Sequence, residues 1–394
     1  MFLERWLNPS QPRNSSQGVA CSSPSDKRLD HTTLLCLAHV GDRSISLGLL
    51  STQTGKLHSL FARGIPVDSY LDLPPVNGAR AWNSEGRVLF FVGATTRGPY
   101  LYHFDLETGR LQVSSETLEF LPWTLGYDSR YPKHLWCFAV KPSMGYSPLA
   151  LFQMETATGK MRLVTAFEGK YIKAVLPGQD NYCGSYDQTT SRFFIFLEKG
   201  MNKNKYEEDE EEDGDGDPWS GHRHRSMEQK RRRREPLLLT VDTDRGLVTE
   251  VHIQFARLPV KLNTLESCVY SRRWNCLFGF ASYTKGKCMF RQRLRMHFVR
   301  VDVCSGEITL LGQEWEGYKR AEDGLIALDE ERGLLFTSIV SEWSWFTTHW
   351  RFVTIDVQTG DIKHQTTWYI MSSRTICFFP PNLVPMEDND SKPG

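Results

Sequence analysis

Apolar and polar residues alternate in short runs along most of this chain, and turn-forming residues join the runs. Phe352-Val353-Thr354-Ile355 is one such run, with the two-residue period of a half-buried strand. Leu101–Ser114, LYHFDLETGRLQVS, shows a whole unit: a strand, a turn written Asp-x-x-Thr-Gly, and a second strand. Asp at the head of such a turn can accept a hydrogen bond from a backbone N–H two residues on. The closing Gly supplies the left-handed conformation that a type I turn followed by a bulge requires. The pattern therefore predicts β-hairpins.

The unit recurs as STQTGKL at Ser51–Leu57, METATGKM at Met154–Met161 and VDTDRGLV at Val241–Val248. Two further copies are VDVCSGEI at Val301–Ile308 and IDVQTGDI at Ile355–Ile362. The closing glycines are Gly55, Gly109, Gly159, Gly246, Gly306 and Gly360. They fall roughly every 50 to 60 residues, a period that with four short strands per unit marks the blades of a β-propeller. The interval from Gly159 to Gly246 is longer because it holds a charged stretch, and without that stretch the common spacing returns.

Blade one takes strands near Leu34–His39, Ile45–Leu50 and Leu57–Phe61. First and second strands follow at Ala79–Asn83 and Val88–Ala94 in blade two, and at Trp123–Tyr127 and His134–Val140 in blade three. Blade four has Tyr182–Tyr186 and Arg192–Leu197, and blade five Ser267–Tyr270 and Cys276–Phe280. Blade six has Leu325–Leu328 and Leu334–Val340. After Gly360 come a strand at Ile362–Trp368 and an apolar tail, TICFFPP at Thr375–Pro381. Pairing of that tail with blade one would close the ring and remove an exposed sheet edge. The expectation is an all-β propeller of six blades, or seven if the tail and the N-terminus build another. It spans residues 19–385, between a disordered segment 1–18 and a loose tail 386–394.

The hairpin phrase resembles that of quinoprotein-type repeat propellers, and the resemblance to β-propellers covers nearly the whole chain. It implies a fold and leaves function open. There is no Trp-Asp dipeptide to suggest WD40 blades and no Gly-Gly pair to suggest kelch blades.

Composition adjusts this picture in a few places. Charge is balanced, with 47 basic and 47 acidic residues, so no global field argues for nucleic acid or for an acidic partner. Hydrophobic residues make up 40% and aromatics 12%, enough for a large β core. The opening residues, MFLERWLNPSQPRNSSQ, bring Glu4 and Arg5 before any long apolar run, which speaks against a signal peptide. No segment reaches the roughly 18 apolar residues of a membrane span. Cysteines number nine, an odd count, and Cys36, Cys137, Cys183 and Cys276 sit within strand-like runs. Reduced, buried thiols in an intracellular protein, cytoplasmic or nuclear, are expected. The sequons at Asn14 and Asn389 are then chance matches.

Catalytic signatures such as HExxH, GxSxG and a Walker-type GxxxxGKS/T do not occur, and Cys268 and Cys276 lie too far apart for a zinc knuckle. Asp213, Asp215 and Asp217 have the alternate spacing of a calcium loop, but Pro218 stands where the EF-hand requires Gly and His224 where it requires Glu. No cofactor and no metal ligand is therefore assigned. Asp128, Asp187 and Asp329 open the turns after first strands. A calcium-dependent propeller hydrolase or lactonase could use such carboxylates at its channel, whereas turn formation accounts for them without chemistry.

In a propeller the second-to-third-strand connections leave one face of the disc and the repeated hairpins the other. Here the hairpins stay short while the connections lengthen: Lys141–Pro148 in blade three, 200–235 in blade four, Ser282–Arg295 in blade five and Ser341–Trp350 in blade six. Loops on a rigid scaffold are where binding sits. The blade-four insert is acidic at KYEEDEEEDGDGDP and basic at Lys230, Arg231, Arg232, Arg233 and Arg234. It reads as disordered, its basic end being a nuclear-import signal, an anion-binding arm, or half of a self-neutralising loop. The sharper candidate sits on blades five and six. Arg291, Arg293 and Arg295 fall at strand spacing after Lys285 and Lys287, beside Trp343, Trp345 and Trp350. Arginine next to exposed tryptophan is the composition of a protein-binding hot spot and of a stacking platform for single-stranded nucleic acid. Core tryptophans and a soluble arginine edge are the plain alternative. The sequence points to a non-enzymatic protein-interaction scaffold, with a propeller hydrolase and an RNA- or anion-binding module as rivals.

Overall fold

The computed structural model describes residues 33–39, 44–59, 65–66, 79–83, 85, 87–95, 98–140, 150–167, 184–199, 235–254, 262–285, 293–316, 318–344, 347–368 and 375–379. The expected ends 1–18 and 386–394, and residues 200–234 of the charged insert, lie outside them.

The regular elements are antiparallel strands. The first sheet holds β1 (Thr33–His39), β2 (Ser44–Ser51), β3 (Leu57–Ser59) and the two-residue β4 (Ile65–Pro66). The second holds β5 (Arg80–Asn83), β6 (Val88–Thr95), β7 (Gly98–Asp105) and β8 (Leu111–Val113). The third holds β9 (Leu121–Tyr127), β10 (His134–Val140), β11 (Ala150–Glu155) and β12 (Met161–Ala166). The fourth holds β13 (Gly184–Asp187), β14 (Arg192–Lys199), β15 (Glu235–Asp242) and β16 (Leu247–His252). The fifth holds β17 (Leu262–Ser271), β18 (Cys276–Lys285), β19 (Arg293–Asp302) and β20 (Ile308–Glu316). The sixth holds β21 (Tyr318–Asp329), β22 (Leu334–Ser344), β23 (Thr347–Asp356) and β24 (Ile362–Trp368). A last strand, β25 (Thr375–Phe378), returns to the first sheet and pairs with β1.

The chain is a β-propeller, with one correction to its expected regularity. Five sheets are four-stranded and each is drawn from one continuous stretch. These are five regular blades, against the six, or seven, that the turn spacing predicts. The remaining sheet is composite and five-stranded, ordered β25-β1-β2-β3 with β4 beside β2. The turns count hairpins, and the first hairpin belongs to a sheet whose innermost strand arrives from the far end of the chain.

Apolar layers between neighbouring sheets hold the ring together. Phe90 and Ala81 of the second sheet meet Leu135 and Phe152 of the third. Phe138 of the third meets Phe193 and Leu239 of the fourth, and Leu238 of the fourth meets Val299 of the fifth. Phe280 and Phe298 of the fifth meet Leu335 and Val353 of the sixth. β25 serves the last two layers at once. Phe378 is buried with Phe336 and Phe352 of the sixth sheet, while Phe379 is buried with Leu89 and Phe104 of the second.

The repeated turn behaves as its residues dictate. Asp105 Oδ1 accepts from the N–H groups of Glu107 and Thr108, both at 2.8 Å, and these bonds hold its carboxyl below the usual carboxylate range. All six closing glycines have positive φ, from 62° at Gly246 to 80° at Gly159. Two of the hairpins also fasten onto the previous sheet. Gln254 N–H, just past β16, donates to Gly306 O at 3.0 Å, and Glu116 N–H to Thr158 O at 3.0 Å.

Candidate functional site

Strand order settles which face each connection occupies. In a sheet ordered first to fourth, antiparallel pairing puts the first and third turns at one edge and the middle connection at the other. The Asp-x-x-x-Gly hairpins and the first-strand turns therefore share one face, and the long connections occupy the opposite face.

On that opposite face, much of the expected loop structure of blades five and six is strand. β18 and β19 pair without a break from Cys276–Asp302 to Lys285–Arg293. Arg293 and Arg295 stand two apart on β19. Arg295 is half-buried, with its Nη1 3.3 Å from Glu314 Oε1; this guanidinium braces β19 against β20. On the next blade Trp350 lies opposite Val340 and Trp368, and Trp343 sits at a register shift between Glu342 and Ser344. The structure thus brings Lys285, Arg293 and Arg295 onto one hairpin and Trp343 and Trp350 onto its neighbour. Lys287, Arg291, Trp345 and Lys230 through Arg234 lie outside the described residues, as do Asp213, Asp215 and Asp217.

The turn carboxylates on the hairpin face have structural partners. Asp187 accepts from Thr189 N–H at 3.1 Å and from the Thr190 hydroxyl at 2.5 Å, and Asp329 accepts from Arg332 N–H at 3.0 Å. Asp128 does more. It is buried, accepts from Arg130 Nε at 2.9 Å and from the Ser191 hydroxyl at 3.1 Å. Arg130 then reaches across to Asp244 with Nη1 at 2.7 Å and Nη2 at 2.9 Å, and also donates to Ser191 Oγ. One guanidinium thereby ties a turn of the third sheet to two turns of the fourth. Burial alone would raise the Asp128 pKa, but the bonds from Arg130 and Ser191 outweigh it and hold the carboxyl below its ordinary value. Among the described residues no group of three His, Cys, Asp or Glu side chains is placed to share a metal ion.

A matching clasp joins the fifth and sixth sheets. Glu330 Oε1 accepts from the Ser271 hydroxyl and from Arg272 N–H, each at 2.6 Å. Arg273 donates to the carbonyls of Glu330 and Glu331 at 2.9 and 3.0 Å while stacking 4.9 Å from the Trp274 ring. Neither clasp has a local sequence signal, because each partner comes from a different blade.

Between the innermost strands lies a feature the sequence did not reveal, a cavity of about 80 Å³ in the central channel. Arg80, Thr124, Ser185, Gln188 and Ser267 supply its polar wall. Two bonds cross between blades here: Arg80 Nη2 donates to Ile326 O at 2.7 Å, and Gln188 Nε2 to Trp82 O at 2.6 Å. The Tyr186 ring lies against Gly126, where any Cβ would collide with it, and burial raises the Tyr186 phenol pKa. The described cysteines of the sheets, Cys36, Cys137, Cys268 and Cys276, are buried, and burial pushes the Cys276 thiol up to about 12. Cys183 lies outside the described residues.

No protein-family model matches the chain, and no curated protein matches it in sequence. Among solved structures, TolB from Acinetobacter baumannii superposes with a TM-score of 0.51 at 11% identity, over 89% of this chain and 67% of that one. A chain of a nidogen/laminin complex gives 0.48 at 10% identity, over 88% and 97%. An oligogalacturonate lyase solved in complex with manganese gives 0.45 at 11% identity, over 87% and 75%. At such identities the likeness to TolB is one of fold alone.

Proposed function

Starting from a chain that is a β-propeller, similar in fold to TolB, we propose that it acts inside the cell as a non-enzymatic platform for a protein partner. The partner docks on the face opposite the Asp–Gly turns. Strand length carries the reading. β18, β19, β22 and β23 run ten or eleven residues, against six to eight for β6, β7, β10 and β11. The fifth and sixth sheets therefore reach further toward that face and offer two adjoining ladders as a rigid base.

Lys285 and Arg293 on one ladder, with Trp343 and Trp350 on the other, are the proposed contacts, and Lys287, Arg291 and Trp345 complete the set. Arg295, engaged by Glu314, supports them. A non-enzymatic role is supported by Asp128, Asp187 and Asp329, whose carboxylates are committed to turns and clasps. The charged segment 200–234 enters and leaves on the same face, from Lys199 and Glu235, and its Lys230–Arg234 end is a candidate import signal.

Quantitative affinity purification from cells tests this, comparing the intact chain with Lys285→Ala/Arg293→Ala and with a control change on the outer rim, Leu163→Ser. A protein retained by the control and lost with the double variant is the expected result. Equal retention by all three sinks the assignment of the face. Tightly held stoichiometric calcium in the purified chain would move the reading to the hydrolase rival, and salt-sensitive RNA capture lost in the double variant would move it to the nucleic-acid rival.

A further inference from the structure

We propose that β16 pairs with the β16 of a second copy of this chain, joining two propellers edge to edge. The outer strands differ in how they guard that edge. β3 and β8 are three residues long. β12, β20 and β24 shift register against their inner neighbours, and such bulges twist an edge away from a newcomer. β16 pairs with β15 over six residues without a shift, and it ends its sheet. Leu247 is 58% exposed and Val248 36%. They point to opposite faces of the sheet. A body laid on one face would cover one of them, whereas a strand added in the plane lies beside both. Past His252 the chain is fastened to the fifth sheet, Gln254 N–H donating to Gly306 O at 3.0 Å, so the edge in question is Leu247–Val251.

The strand complements itself, and this selects a second copy. In sister hairpins the residue after the closing Gly accepts from the Asp N–H, as Arg110 O does from Asp105 and Glu307 O from Asp302, both at 3.0 Å. Leu247 holds that place here, opposite Asp242. Backbone groups alternate in direction along an antiparallel strand, so Leu247, Thr249 and Val251 bond to β15, and those of Val248 and Glu250 point outward. Two identical strands paired antiparallel are related by a twofold axis normal to the sheet, at which one residue faces its own copy. With Glu250 at the axis two carboxylates would oppose each other. With Val248 there, the ladder runs off into the turn at Arg245. With Thr249 there, every position is matched: Leu247 faces Val251 of the second copy, twice over, and Thr249 faces Thr249. Val248 then exchanges backbone bonds with Glu250 of the second copy, and no charge meets its like. Apolar and Thr–Thr pairs of this kind stabilise a ladder. One ladder of this length belongs with the small interfaces, below about 1,200 Å², so the dimer is reversible. It lies on the outer rim, apart from the face proposed for the protein partner.

Sedimentation velocity on the full chain tests this, from about 1 µM to about 500 µM. A reversible monomer–dimer equilibrium is expected. Thr249→Lys and Thr249→Glu should each weaken dimerisation about tenfold or more, since each sets like charges opposite one another. Thr249 is exposed, so the thermal transition of both variants should stay in place. Mixed in equal amounts, the two variants should regain the dimer, now with opposite charges facing. Leu163→Lys, on the outer strand of the third sheet, should leave dimerisation unchanged. A chain that stays monomeric throughout, a dimer indifferent to both Thr249 variants, variants that mixing does not rescue, or a dimer lost with Leu163→Lys would each overturn the pairing.

Discussion

Gly360 and Gly246 hold the same place in the repeated turn, at φ 78° and 62°, yet their surroundings differ. A Cβ on Gly246 would meet nothing within 4 Å, whereas one on Gly360 would run into the backbone of Leu311 and Gly312 on the preceding blade. Gly246→Ala should therefore cost about 1–2 kcal/mol for the left-handed conformation alone. Gly360→Ala should lose about a further 1–3 kcal/mol to the collision. Urea denaturation of both variants separates the two effects, and equal losses would count against the inter-blade contact. Asp128 gives a pH test. Its pKa is lowered in the folded chain, so its contribution is present above the unfolded value of about 3.9 and fades as pH falls through the folded one. Asp128→Asn should cost about 1–3 kcal/mol at neutral pH, with the deficit vanishing in the most acidic samples. A deficit that persists there would assign the loss to shape and not to charge. Gly at the turn was readable from sequence because its reason is local. The partner of Arg130, Asp244, stands 114 residues away, and no short pattern announces it.

At the scale of the element, β25 matters out of proportion to its length. It makes three cross-strand pairs with β1 and shifts register between Leu37 and Ala38. Its apolar end nevertheless serves two layers: the Phe378 ring meets Phe352 edge-on at 5.8 Å, and the adjoining Phe379 meets Trp82 at 6.4 Å. Phe378→Ala and Phe379→Ala should each cost about 3–5 kcal/mol, as buried Phe truncations do. Hydrogen exchange should show the loss first in β1. Uniform loss over all the sheets would mean that the ring opens elsewhere. This closing strand was legible because TICFF stands apolar in a polar context. The lengths of β17 and β21 were not. β17 was expected from Ser267 and begins at Leu262, and its pairing slips twice, at Leu262/Thr264 and Glu266/Val269. β21 was expected from Leu325 and begins at Tyr318, its polar Lys319–Asp323 run crossing a slip between Ala321 and Ile326. Bulges break the two-residue alternation, so a pattern read by alternation stops short of them.

For the whole molecule, the ring is defined by its ladders, and the fourth blade shows this well. Residues Arg192–Lys199 pair continuously with Glu235–Asp242, so Lys199 faces Glu235 directly. Replacing 200–234 by Asn-Gly should leave stability within about 1 kcal/mol, because loop closure depends only weakly on length. A collapse of the thermal transition would show that the segment belongs to the ring. The turn period revealed the propeller across nearly the whole chain, yet the channel cavity stayed hidden, since its wall is assembled from short runs on five different sheets. The composite sheet carries one more consequence. Cys36 finds its partner in Phe378, so a ribosome delivers the first sheet long before the strand that completes it. Until the last strand emerges, a bare edge stays open to foreign strands. A holdase that shields β1 during synthesis would thus raise the yield of native protein.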